Sequence, residues 1–181
     1  MSEKIKTMVD RAMRVRASQM ETVGPTKSLT LTHYTHLPVD LSERCYEQED
    51  LSPGTKPIGL WVSVDGPDDW TEWCAAESFG IGSFPYRVTL RCDHRLLVIS
   101  SLDEFDEFQK AFGRATYLAR HCGIAWAEVA ERYQGIIIAP YQWARRYSAF
   151  WYYGWDCASG CIWDVSAIHE WSALPPVADQ Q

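Results

Sequence analysis

Phe150 to Asp164 read FWYYGWDCASGCIWD, a stretch of fifteen residues that holds three tryptophans, two tyrosines, two cysteines and two aspartates. Each aromatic side chain brings a large apolar area, and Trp and Tyr also carry one polar atom that needs a partner when buried. A solvated loop cannot carry such a load, so the stretch implies a packed interior or the wall of a pocket. The chain upstream must then supply a core able to receive it. With 181 residues, 46% hydrophobic and 23% charged, the chain is expected to build a single core without disulfides or a structural metal. Nine tryptophans make it Trp-rich.

The formal net charge of −7 argues against non-specific nucleic-acid binding, which needs clustered Lys and Arg, and leaves room only for a small local basic patch. The opening MSEKIKTMVDRAMRVR lacks the apolar centre of a signal peptide. No stretch approaches the roughly eighteen consecutive apolar residues of a membrane span. A cytoplasmic protein without membrane association is expected. In that compartment the six cysteines are expected as reduced thiols. Cys157 with Cys161 and Cys92 with His94 are unlike pairs, which is not the matched spacing of a zinc site, so no metal is expected.

Helical spacing of Ile5, Met8, Val9, Ala12, Met13 and Met20 predicts an N-terminal amphipathic helix within residues 1–24, stopped by Gly24-Pro25. It either packs on the domain or serves as a partner-binding arm. Residues 25–171 read as one α+β domain, mixed small β-sheets with flanking helices, and residues 172–181 as a loose tail. Strand alternation runs through Leu29 to Tyr34 and puts His33 on the same face as two leucines. A second strand lies within Lys56 to Gly66, where Gly59 lets another backbone or a ligand come close. Asp68 is expected to cap the helix that carries Trp70 and Trp73. Strands follow at Pro85–Cys92 and Arg95–Ser100. Ser101 with Glu104 forms a capping box for a helix bearing Phe105, Phe108 and Phe112. A further helix is expected over Ile124 to Tyr133, then a central strand at the β-branched triplet Ile136 to Ile138.

Four of these pieces, LTHYT, GLWVS, YQGIII and CIWDVSAI, together resemble the ADP-ribosyltransferase fold in its histidine–tyrosine–glutamate branch, over about residues 29 to 170. The resemblance implies that NAD is the substrate and that His33 holds a ribose hydroxyl. Trp61 stands where the family has tyrosine and would stack on the nicotinamide. The implied cofactor-binding set is His33, Tyr34, Gly59, Trp61, Ser63 and Arg145, with Arg145 or Arg146 available to a pyrophosphate.

The family's glutamate is missing: the pattern puts Ser159 in its place, and serine cannot hold a negative charge against an oxocarbenium ion. Asp156, reaching in from the preceding turn, is the first choice of carboxylate, and Asp164 after a register shift the second. Only Ser159, Cys161 and Trp163, or else Gly160, Ile162 and Asp164, can share one face of a strand. The implied catalytic set is His33, Asp156 and Ser159. The expected function is an NAD-dependent ADP-ribosyltransferase or NAD-cleaving enzyme, a bacterial or phage toxin or modifier that acts on a macromolecular acceptor. The alternative is a non-catalytic binding or inhibitor module acting through a protein partner.

Overall fold

The computed structural model describes residues 29–41, 45–49, 55–116 and 121–176. The expectation of an N-terminal amphipathic helix within residues 1–24 falls outside these residues. The Ile136 to Ile138 triplet is the natural starting point, because three β-branched apolar side chains in a row suit a strand buried on both faces. They form most of β7 (Gly135–Ile138), and all three are fully buried. On one side β7 pairs in parallel with β4 (Leu96–Ile99), and on the other antiparallel with β8 (Ser159–Ile162).

The sheet continues through β2 (Leu60–Val64), β1 (Leu31–Thr35), β3 (Phe84–Leu90) and β9 (Ile168–Ala173), all antiparallel. The order is β4-β7-β8-β2-β1-β3-β9, a mixed seven-stranded sheet. A separate hairpin joins β5 (Gly113–Ala115) to β6 (Cys122–Ile124). Among the described residues three α-helices complete an α+β fold: α1 (Trp70–Glu77), α2 (Leu102–Phe112) and α3 (Trp126–Ala130).

Helix α2 shows how sequence dictates element and packing together. Ser101 and Glu104 close the expected capping box, satisfying N–H groups the first turn leaves without partners. Phe105, Phe108 and Phe112 then fall on one stripe and bury. They meet the aromatic stretch directly: Phe105 stacks on Trp151 at 4.9 Å between centroids, and Phe108 meets it edge-on at 5.5 Å. Trp126 of α3 and Trp163 join the same cluster at 6.4 Å. Each indole finds an acceptor as it is buried, Trp151 at Gln109 Oε1, Trp126 at the Thr55 carbonyl and Trp163 at the Tyr133 carbonyl. That removes the cost of an unpaired N–H, about 1–3 kcal/mol each.

Three local expectations change. Asp69, not Asp68, caps α1: its carboxylate accepts from Thr71 N and Glu72 N, whereas Asp68 has φ 60° and makes the turn. Ile124 belongs to β6, so the helix expected from it begins only at Trp126. Ser172 and Ala173, placed in the loose tail, extend β9 along β3.

Candidate functional site

A cavity of about 240 Å³ opens where β1, β2 and β8 lie side by side. His33 and Tyr34 come to it from β1, Trp61 and Ser63 from β2, Ser159 from β8, and Asp156 from the turn before β8. Six residues marked from the sequence therefore share one cavity. Ser63 and Ser159 are register partners across β2 and β8, which is why both line it. The volume lies below the roughly 300–1,000 Å³ that encloses a drug-sized ligand. It suits one ring system, with the remainder of a larger ligand lying along the surface.

The state of His33 follows from its bonds. Its Nδ1 lies 2.7 Å from the Trp61 carbonyl, an acceptor, so Nδ1 carries the proton and donates. Burial pulls the His33 pKa below its ordinary value, against the smaller raising effect of that hydrogen bond. The ring is accordingly neutral at pH 7, and Nε2 is left with a lone pair able to accept from a hydroxyl.

Trp61 meets Trp155 edge-on at 4.9 Å, and the Lys56 ammonium sits 4.9 Å from the centre of the Trp61 ring. The same ammonium lies 3.8 Å from Asp156 Oδ2, while Arg146 approaches Asp156 Oδ1 at 3.6 Å. Both distances exceed a good hydrogen bond, so the carboxylate is held by charge and keeps its acceptor capacity. Gly154 makes room for this arrangement, since a Cβ there would lie 2.9 Å from Lys56 Cε. Among the residues lining the cavity Asp156 is the sole carboxylate.

Ser159 Oγ donates to the Cys157 carbonyl at 2.9 Å. Cys157 also lines the cavity, and burial pushes its thiol up to about 12, which makes it a poor nucleophile at neutral pH. Trp155 contributes something different. Its side chain is fully buried, yet its Nε1 has no hydrogen-bond partner among the described residues. This N–H is shielded from the cavity as well as from solvent, so its missing partner is a cost carried by the packing of the ring.

The remaining sequence candidates lie elsewhere. Gly59 faces the β8 backbone: a Cβ there would be 2.5 Å from the Ile162 carbonyl oxygen, so its missing side chain serves strand packing. Arg145 forms a two-pronged pair with Asp106 of α2, at 2.7 and 2.6 Å, and does not line the cavity. Asp164 caps the 3-10 turn Val165–Ala167 and accepts from Gln134 Nε2 at 3.0 Å. Burial raises its pKa, but hydrogen bonds from Ser166 and Gln134 outweigh that and leave it lowered. Cys161 and Trp163, expected to accompany Ser159, are buried in the core.

Sequence reasoning missed Lys56, Thr32, Trp70 and Trp155 as lining residues. Lys56 stands just before Pro57 at the entry to the second strand, and that adjacency was the available signal. No group of His, Cys, Asp and Glu among the described residues has the geometry of a metal site. None of their helices is long and apolar enough to cross a membrane. Comparisons with protein-family models, curated proteins and solved structures find no match.

Proposed function

We propose that the cavity binds the nicotinamide end of NAD⁺ and that the protein is an ADP-ribosyltransferase or NAD-cleaving enzyme. The observation that carries this reading is the convergence of a neutral His33, the Trp61 ring and the Asp156 carboxylate on one cavity. It is supported by the placement of the four family-like segments, on β1, β2, β7 and from β8 into β9, the first three strands lying together with β8 in the order β7-β8-β2-β1.

In this reading Trp61 stacks on the nicotinamide ring and His33 Nε2 accepts from a ribose hydroxyl. Ser63 gives a second polar contact, although its Oγ already accepts from Trp70 N at 3.0 Å. Asp156 places negative charge beside the ribose carbon as the glycosidic bond breaks. The bonding electron pair leaves with the nicotinamide nitrogen. The acceptor's lone pair then closes on that carbon while its proton passes to Asp156 or to solvent. The acceptor is macromolecular in the transferase form and water in the NAD-cleaving form, as a bacterial or phage toxin or modifier would use either.

The test is incubation with labelled NAD⁺ and cell extract, following nicotinamide release and label transfer. His33→Ala and Trp61→Ala should both lose turnover. Full NAD⁺ consumption by both variants would overturn the assignment.

A second reading, a binding or inhibitor module on the same scaffold, is favoured by one observation: Ser159 stands in the glutamate's place with its hydroxyl committed to the Cys157 carbonyl. It expects no NAD⁺ turnover, a stable protein complex, and weakening of that complex when residues 1–24 are deleted.

A further inference from the structure

We propose that a second cavity, between the Arg91–Arg95 turn and the start of β9, is an anion site that takes the phosphoryl group of a small phosphorylated ligand. This cavity measures about 530 Å³ and shares no lining residue with the first. Its charge runs against the rest of the chain. In a protein of formal charge −7, counted with neutral histidines, Arg91 and Arg95 line it against a single carboxylate, Asp93, and the His94 and His169 rings complete the polar wall.

The hydrogen-bond inventory is equally one-sided. His94 Nδ1 accepts from Leu96 N at 3.2 Å, so in the neutral ring Nε2 carries the proton and is a donor. Arg95 places one N–H on the Arg132 carbonyl at a long 3.4 Å, and a guanidinium has five donors to place. Arg91 Nε meets Asp93 Oδ1 at 3.5 Å with both side chains more than half exposed, an ion pair that contributes little and leaves the guanidinium available. Gln134 has its acceptor oxygen on Arg95 N and its amide on Asp164 and Ser166, which braces one wall.

Trp171 supplies a reporter for the site. Its ring lines this cavity as an apolar wall, while its Nε1 is shielded from the cavity and has no hydrogen-bond partner among the described residues. Stacking on Tyr86, at 4.5 Å and 15°, holds the ring in place. The donors of Arg91, Arg95 and His94 therefore border a space whose lining holds a single carboxylate. A ligand group with several anionic oxygens completes it, and arginine pairs with phosphoryl oxygens in a matching fork.

The probe is inorganic pyrophosphate, titrated into the full chain while the tryptophan indole N–H signals are followed by NMR, with Trp171→Phe identifying the relevant one. A saturable shift of the Trp171 signal is expected. Affinity should fall at least roughly tenfold in Arg91→Ala/Arg95→Ala, by loss of two charge-assisted pairs, and rise in Asp93→Asn. Trp61→Ala should leave it unchanged, which separates this site from the NAD⁺ reading. Absence of a saturable shift, an equal response to acetate, or unchanged affinity in both the arginine and Asp93 variants would overturn the proposal. Because Asp93 is a mostly exposed surface residue, its variant remains informative if the double arginine variant fails to fold.

Discussion

Replacing Gly59 by alanine separates two uses of a glycine beside a cleft, closeness to a ligand and closeness to another strand. The added Cβ would fall 2.5 Å from the Ile162 carbonyl oxygen and 2.9 Å from Cys161 Sγ. Ordinary contact begins near 3.4 Å, so β8 would have to retreat by about 0.9 Å at Ile162. That strand cannot retreat freely, since it is bonded to β2 on one side and to β7 on the other, with Ile162 opposite both Leu60 and Gly135. Overpacking of this kind costs about 1–3 kcal/mol, and the rigid backbone partner puts the expectation at about 2–3 kcal/mol. For a domain of this size each kcal/mol moves Tm by roughly 2–4 °C, so Gly59→Ala should melt about 4–12 °C below the parent. Thermal unfolding followed by circular dichroism measures it, with Gly80→Ala as the control. There a Cβ meets only His36 Cε1 at 3.4 Å, and the change should lie within about 0.5 kcal/mol. A Gly59→Ala protein that melts with the parent and loses only NAD⁺ affinity would refute the packing argument and return Gly59 to the ligand site.

Lys56→Met removes a cation that occupies the Trp61 face and Asp156 together. A cationic ring should then bind more tightly, by about 1 kcal/mol or roughly fivefold, read as quenching of tryptophan fluorescence by NAD⁺; weaker binding would make Lys56 a ligand contact instead. His33 gives a pH dependence. Its folded pKa is lowered, so the unfolded chain binds the extra proton as pH falls below roughly 6.5, and the stability from the neutral ring is full above that value and lost as pH falls through the folded pKa. Tm should therefore drop more steeply between pH 7 and pH 5 in the parent than in His33→Gln, and parallel profiles would contradict the burial argument.

The strands and helix α2 were legible because their signals are local. A β-branched triplet, an alternating run and a capping box each declare themselves within a few residues. The β5–β6 hairpin was not legible, because three-residue strands offer no period to read. The site divides in the same way. Trp61, Ser63 and Ser159 share one sheet face because the register sets Ser63 opposite Ser159, so a pattern of motifs was enough to bring these three together. His33 alternates to the other face with Leu31 and comes to the cavity beside the Trp61 backbone carbonyl, which no motif shows. Arg145 and Arg146 show the opposite case. They are neighbours in one 3-10 turn, and only the third dimension decides that Arg145 turns to Asp106 of α2 while Arg146 turns to Asp156 at the cavity.

The aromatic stretch performs two physical tasks that its composition alone does not distinguish. Trp151 and Trp163 are core, since each is fully buried among rings and gives its N–H to a protein acceptor. Trp155 is equally buried but its N–H has no such partner, and the residue lines the first cavity. Trp171, beyond the stretch, repeats the pattern at the second cavity. These two indoles are the buried side-chain nitrogens left without partners among the described residues, and each borders a cavity. An unpaired buried donor costs about 1–3 kcal/mol, and the void left by the smaller ring offsets that gain, so phenylalanine at Trp155 or Trp171 should leave Tm, read by circular dichroism, nearly unchanged. Trp155→Phe should leave pyrophosphate binding at the second cavity untouched, whereas Trp171→Phe, whose ring lies 5.5 Å from that of His33, should disturb both sites.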